Sequence, residues 1–329
     1  MTTTPIAAPA SRITLFTTCK PFRGEAARLQ RNALRSWSRL HPTPEILVFG
    51  DEPGGAEICA EIGARQIREI ERTPSGIPTL SCLAEGAEHH ATRDFLCLVN
   101  ADILLTSTLE PAVAACAAHF AEFLFISRRW NLDLAGELDF DTPGWEARLA
   151  ADAHARGDLE SIYGGVDLFL YPRGLWTKGE LPPMAMGRGR WDSALLLLAR
   201  KRGLPLVDAT DLALNVHQNH DYSHEAGGVT AVFRGADGVA NEALLGGDEF
   251  IFSALNATHV LRRDGLEPLR IRNPMLWLRL LATAPALHGW AAPLRPLVHA
   301  LAPWWRRARA ARDARLGRIS FASPRTPAP

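Results

Sequence analysis

The sequence predicts an α/β fold, a mostly parallel sheet flanked by helices and followed by a helical, basic C-terminal extension. Three observations carry this. Phe95-Leu96-Cys97-Leu98-Val99 is a wholly apolar run of strand length, framed by Arg93-Asp94 and by Asn100-Ala101-Asp102. A strand apolar on both sides belongs in a sheet covered on both faces. Strand-like and helix-like segments alternate through the first two-thirds, with crossovers long enough for right-handed parallel connections. From 269 to 318, ten arginines stand against the single acid Asp313, a net +9 that leaves −9 for the rest of a neutral chain of 329 residues.

The elements follow in order. Ile13 to Thr17 reads as a strand, and Gly24 to Leu40 as a helix with Ala26, Leu29, Ala33, Trp37 and Leu40 on one face. Glu45 to Phe49 is the next strand, stopped by Gly50-Asp51-Glu52-Pro53-Gly54-Gly55. A helix from Ala56 to Ile62, a strand from Arg65 to Ile70 and a helix from Leu80 to His90 lead to the apolar strand ending at Asn100. Leu109 to Ala121 is helical, and Glu122 to Ser127 is a strand. Arg128 to Ser161 is a polar excursion over the sheet, and long insertions of this kind in α/β proteins are usually functional. Ile162 to Pro172 is a further strand, whose Asp167 needs a partner because an unpaired buried charge is costly; Arg173 and Arg188 are the candidates. A helix from Leu195 to Arg202 and a short strand from Leu204 to Val207 follow.

Composition narrows the function classes. A charged fraction of 22% and zero net charge argue against nucleic-acid binding and against disorder. The five cysteines form no C-x-x-C pair, which suits reduced thiols in a cytoplasmic protein. Only Lys20, Lys178 and Lys201 are lysines among 36 basic residues, a bias of GC-rich bacterial coding. Residues 1–11 read as a disordered leader and 319–329 as a disordered tail, enclosing a domain over 12–262 and the basic extension over 263–318. No run is long and apolar enough to span a bilayer.

Four groups of residues carry chemistry. Asn100 and Asp102 fall at the carboxyl end of a central strand, where ligands of such sheets bind, and a carboxylate there suits a divalent cation held against phosphate. Asp102 read structurally is a helix cap. The turn after the first strand, Thr17-Thr18-Cys19-Lys20-Pro21-Phe22-Arg23-Gly24, is neither G-x-G-x-x-G nor a P-loop, so the dinucleotide and P-loop classes fall away. Gly187-Arg188-Gly189-Arg190-Trp191-Asp192 opens a helix with two arginines, an arrangement that favours an anion. There Asp192 serves either as a cap or as a general base, beside Trp191 as an aromatic platform for a sugar face. Finally, His217-Gln218-Asn219-His220-Asp221-Tyr222-Ser223-His224 gathers three histidines and an acid, common ligands of Mn²⁺-like ions, in a spacing that is not a zinc signature.

These pieces resemble GT-A-fold glycosyltransferases, close to the family 2 group. More narrowly they resemble a set of bacterial proteins sharing Arg31-Asn32-Ala33, Phe49-Gly50-Asp51, Gly76-Ile77-Pro78, Asn100-Ala101-Asp102, Trp191-Asp192 and the segment from His217 to His224. The resemblance covers about residues 12–262 and implies a GT-A-like fold holding a nucleotide-diphosphate sugar, with Thr17, Thr18 and Asp51 near the nucleoside. It puts Asp102 at the second acid of the D-x-D motif, holding Mg²⁺ or Mn²⁺, with His217 or His220 as a further contact. Asn100 stands where the first acid would be, contributing hydrogen bonds without charge. Asp192 takes the place of the catalytic base, and Arg188 and Arg190 that of groups facing the leaving diphosphate.

Two rivals from other classes are a nucleotidyltransferase, which would carry a richer Gly/Arg/Lys loop after the first strand, and a non-catalytic GT-A-like binding protein, for which Asn100 speaks. The extension, with its arginines and Trp277, Trp290, Trp304 and Trp305, suits two uses: packing of its apolar patch on the domain with the arginines in water, or peripheral contact with an anionic membrane, on the inner face of the plasma membrane. The sequence does not name the acceptor; by analogy with many bacterial glycosyltransferases, an envelope or lipid-linked molecule is one candidate.

Overall fold

A computed structural model describes residues 10–220, 228–246 and 251–298, together with residues 300, 301, 304 and 307. The first half lays down β1 (Ile13–Thr18), α1 (Gly24–Ser38), β2 (Glu45–Phe49), α2 (Gly55–Ile62), β3 (Arg65–Ile67), α3 (Leu80–His90), β4 (Phe95–Val99), β5 (Ile103–Leu105), α4 (Leu109–Ala117) and β6 (Leu124–Ile126). Then come β7 (Trp130–Leu132), α5 (Trp145–Arg156), β8 (Asp158–Leu159), β9 (Leu168–Pro172), α6 (Trp191–Lys201), β10 (Leu206–Asp208) and β11 (Asn215–Gln218). The chain closes with α7 (Gly228–Arg234), α8 (Ala236–Leu245), β12 (His259–Arg262), β13 (Gly265–Pro268) and α9 (Pro274–Leu287).

The expected fold class is the one found. Nine strands form the main sheet in the order β13-β12-β10-β6-β9-β4-β1-β2-β3. All run parallel except β9, antiparallel to both its neighbours, and the edge strand β13. The apolar run explains itself by alternation. Leu96 and Leu98 face the layer that contains α3 and α6, while Cys97 and Val99 face the layer of α1, α2 and α4. With both faces covered, no position on β4 is left for a polar residue until the strand ends.

The polar excursion is a structure of its own. β5, β11, β7 and β8 make a second sheet of four strands, with α5 packed beneath it over Leu104, Leu132, Leu149 and Val216. The chain leaves the main sheet after β4 and enters the small sheet at β5, so Ala101 and Asp102 are the link between the two.

Several boundaries differ from expectation. The strand expected from Ile162 begins only at Leu168, which puts Asp167 just before β9 rather than inside it. The helix expected from Leu195 starts at Trp191, because Trp191, Ala194 and Leu195 are core residues that extend its buried face backwards. β13 carries the main sheet to Pro268, past the boundary expected at residue 262.

Candidate active site

Ligand sites of parallel sheets lie at the carboxyl ends of their strands, and here those ends meet in a cleft of about 1320 Å³. β1 contributes Thr17 and Thr18. Because Phe16 pairs with Leu98 in parallel register, Thr18 stands level with Asn100 at the end of β4. β9 runs the other way, so its beginning meets the end of β4. The backbone N–H of Asn100 donates to the carbonyl of Asp167, and Asn100 Nδ2 donates to Asp167 Oδ1 at 2.6 Å. β6 ends nearby and delivers Arg129, whose guanidinium donates to the other carboxylate oxygen of Asp167. Arg129 is therefore the partner of Asp167. Arg173 instead donates to the carbonyl of Ala91, and Arg188 is another residue lining the cleft.

The small sheet supplies the second half. Antiparallel pairing of β11 with β5 sets His217 opposite Ile103, one residue beyond Asp102. The Nε2 atoms of His217 and His220 lie 3.7 Å and 3.3 Å from Asp102 Oδ2. One donor atom from each of the three residues falls within 4.8 Å of the others. Asp102 Oδ1 is buried without a hydrogen-bond partner among the described residues.

A buried amide network fixes this cluster. Gln218, fully enclosed on β11, donates through Nε2 to the carbonyls of Leu29 and Asp102 and accepts at Oε1 from Asn32. Asn32 in turn accepts from the N–H of Leu138 and donates to the carbonyl of Gly136. Gln218 and Asn32 thus clamp the Ala101–Asp102 link to α1 and to the excursion, and both are structural members of the motifs. Asp221, Tyr222, Ser223 and His224 lie outside the described residues.

Charge in the cleft is unevenly distributed. Burial raises the Asp102 carboxyl, but the hydrogen bond from His220 and the charges of His217, His220 and Arg129 outweigh it and hold Asp102 below its ordinary value. Burial pushes the imidazole of His217 down to about 3, with Arg129 acting the same way and Asp102 opposing. A neutral imidazole beside an ionised carboxylate is a donor set ready for a cation. Asp167 goes up to about 6, chiefly from burial, with Arg129 opposing and the charges of Asp102 and Asp192 adding.

The turn 187–190 and the start of α6 also line the cleft. Arg190 has φ 82° at the N-cap of α6, the one non-glycine residue with positive φ among the described residues. Such strain is held where surrounding packing over-determines it. Here Asn241 of α8, buried, accepts from the N–H of Ala185 and donates to the carbonyls of Ala185 and Gly189, pinning the turn from behind. Gly189 has no room for a side chain, since a Cβ there would stand 2.9 Å from the Phe233 ring of α7. Asp192 lies in the first turn of α6, accepts weakly from the N–H of Val166 at 3.4 Å, and is raised by burial against the N–H groups of Ser193 and Val166.

Ten of the eleven sequence-predicted residues therefore line one cleft: Thr17, Thr18, Asn100, Asp102, Arg188, Arg190, Trp191, Asp192, His217 and His220. Asp51 does not. Its side chain points outwards to Arg72 at 2.8 Å, while the adjacent Glu52, held by the same arginine, takes the place on the wall. Trp191 corrects a second expectation. It is 5% exposed with its ring against Phe169, so it belongs to the core and has no free face for a sugar. Sequence reasoning missed Arg129 and the Glu52–Arg72 pair altogether. The polar stretch after β6 was the available signal for the first, and the acid beside Asp51 for the second.

No protein-family model matches this chain, and no curated protein does. Solved structures similar to it include sugar-transferring proteins, all at low identity. One is S. aureus TarS 1-349 in complex with UDP-GlcNAc, at 12% identity over 93% of this chain and 92% of that one, TM-score 0.48. Another is the mannosyltransferase PcManGT from Pyrobaculum calidifontis in complex with GDP-Man and Mn²⁺, at 15% identity over 91% and 78%, TM-score 0.43. A third is glucosyl-3-phosphoglycerate synthase from Mycobacterium tuberculosis in complex with phosphoglyceric acid, at 15% identity over 64% and 73%, TM-score 0.39.

Proposed function

We propose that this protein is a glycosyltransferase that moves a sugar from a nucleotide-diphosphate sugar to an acceptor hydroxyl, with a divalent cation held by Asp102, His217 and His220. The observation that supports this most is the cluster itself. An ionised carboxylate with one unused buried oxygen and a neutral imidazole stand together at a strand end, beside an arginine-bearing helix N-terminus. Two imidazoles and one carboxylate favour Mn²⁺ over Mg²⁺, which prefers oxygen ligands alone. A cation bound there supplies charge against the diphosphate.

The chain's own residues do the rest. Thr17, Thr18 and Asn100 line the wall on which a nucleoside and its ribose would rest. Arg188, Arg190 and the N-terminus of α6 face the departing diphosphate, where positive charge and aligned N–H groups favour an anion. Asp192 takes the proton of the acceptor hydroxyl as its oxygen bonds to the anomeric carbon and the bond from that carbon to the diphosphate oxygen breaks. Burial raises Asp192 and makes it a stronger base than an exposed aspartate. Arg129 and Asn100 hold Asp167 away from the cation site, leaving Asp102 as the carboxylate of the cluster. The protein works in a reducing, cytoplasmic setting, a reading supported by five free cysteines, of which four are buried.

The test is a panel of UDP-, GDP- and dTDP-sugars with the purified protein, with and without Mn²⁺, following thermal stabilisation and release of nucleoside diphosphate. One nucleotide should stabilise the protein with Mn²⁺, by about 2.7 kcal/mol at a hundred times its dissociation constant, and Asp102→Ala should remove the effect. No stabilisation by any member overturns the reading.

A further inference from the structure

The basic extension is not one surface but two. α9 turns one face inwards, where Thr283 and Ala284 are buried and Asn256 Nδ2 donates to Thr283 Oγ1 at 3.0 Å. On the same side the Arg279 guanidinium lies 4.4 Å over the ring of Tyr163, a residue of the cleft wall. The other face carries Trp277, Leu278 and Leu281, each close to half exposed. Beyond α9 the chain folds back through a short 3-10 segment, Gly289–Leu294, which buries Ala291 and leaves Trp290 71% exposed; Leu297 is 57% exposed. Monomeric soluble domains seldom leave so many large apolar side chains exposed in one segment without a partner for them.

Charge identifies the occupant. Residues 269–301 hold four arginines and no acid. Arg270 and Arg272 are exposed at the foot of α9, and Arg295 beyond it also donates to the carbonyl of Gly246. A second copy docked symmetrically through this same segment would bring like charge against like charge. An anionic bilayer takes apolar side chains and arginines together, with aromatic rings at the headgroup level. Among the described residues no helix is long and apolar enough to cross a membrane, so the contact lies in the interface plane.

We propose that the outer face of α9 and the segment after it form a docking surface for an anionic lipid bilayer, and that docking holds the Tyr163 side of the cleft, to which Arg279 ties α9, near the membrane surface. The surface does not depend on the reaction proposed above, and the following experiment reads it without any transfer assay.

Full-length protein is floated with phosphatidylglycerol–phosphatidylcholine vesicles and with phosphatidylcholine vesicles, alongside Trp277→Ser/Leu278→Ser/Leu281→Ser and Arg270→Glu/Arg272→Glu. The wild type should float with the anionic vesicles alone. Reversing both charges should weaken partitioning by more than the roughly 30-fold that loss of two basic residues gives, since each basic residue near an anionic surface strengthens binding about fivefold. The triple variant should stay at the bottom of the gradient. Trp290→Ser is added as a variant at a side chain mostly in water, so that loss of binding is not confused with misfolding, and it too should weaken flotation. Equal flotation with neutral vesicles, or flotation of the variants at wild-type level, overturns the proposal. So does an unbound wild-type dimer that the triple variant converts to monomer in light scattering, which would assign the face to a second copy.

Discussion

Three aspartates share the cleft, and their surroundings give them three different tasks. Asp102 is the carboxylate of the proposed cation cluster, so Asp102→Asn should leave the fold intact and abolish Mn²⁺-dependent nucleotide binding and transfer; retained activity with unchanged Mn²⁺ dependence rules the assignment out. Asp192 stands on a helix start, where a cap is worth about 1 kcal/mol. As a base it is worth about 10²–10⁴ in turnover. Asp192→Asn should therefore cut kcat by that factor with donor KM nearly unchanged, whereas lost stability at normal kcat would make it a cap. Asp167 is marked by pH. Its folded-state value rises from 3.8 to about 6, so its contribution favours the folded state at pH below 3.8 and fades as pH climbs through 6. Two units correspond to about 3 kcal/mol. Thermal melts from pH 4 to 7 should show the wild type losing stability across that window relative to Asp167→Asn, and parallel curves would contradict the raised value.

At the scale of elements, the Gly-Arg turn is only as firm as the helix behind it. Asn241 makes three bonds to the backbone of that turn from a buried position on α8. Each net hydrogen bond is worth about 0.5–1.5 kcal/mol. Asn241→Ala should lower stability by about 2–4 kcal/mol and raise donor KM through a loosened Arg188–Arg190, with proteolysis near residue 188 as the direct check. Elements of this kind also divide what the sequence disclosed from what it hid. β1, α1, β2, α3 and β4 were legible because each carries its own period and its own stop, as in the run ending at Asn100. The strands of the small sheet were not, since β5 meets β11 across more than a hundred residues and each is three or four residues long. The site split the same way. Asp102, His217 and His220 stood out by residue type, but their meeting depended on that long-range pairing. Asp167 was found in need of a partner and matched to the wrong arginines, because the antiparallel turn of β9 brings it to the end of β6 and to Arg129.

The whole molecule combines a cleft at the carboxyl ends of its strands with a C-terminal segment that carries the positive charge the rest lacks. Sequence alone left two uses for that segment, packing on the domain or contact with a bilayer; the inner face of α9 takes the first, and its outer face is left for the bilayer contact proposed above. The inner face packs on the folded core: Ala286 and Leu287 of α9, with Leu269 ahead of it, lie against the same apolar cluster as α3 and α6, and Asn256 bonds to Thr283. Cutting the chain after Pro268 therefore removes core contacts as well as the outer face. Two partly buried leucines and an alanine are worth roughly 2–4 kcal/mol, and in a chain of this size each kcal/mol moves the melting temperature by about 2 °C. The truncated protein should melt several degrees below the full chain, whereas Trp290→Ser, altering a side chain that is mostly in water, should leave the melting temperature within about a degree. A truncated protein as stable as the full chain would mean that the inner face of α9 adds nothing to the fold.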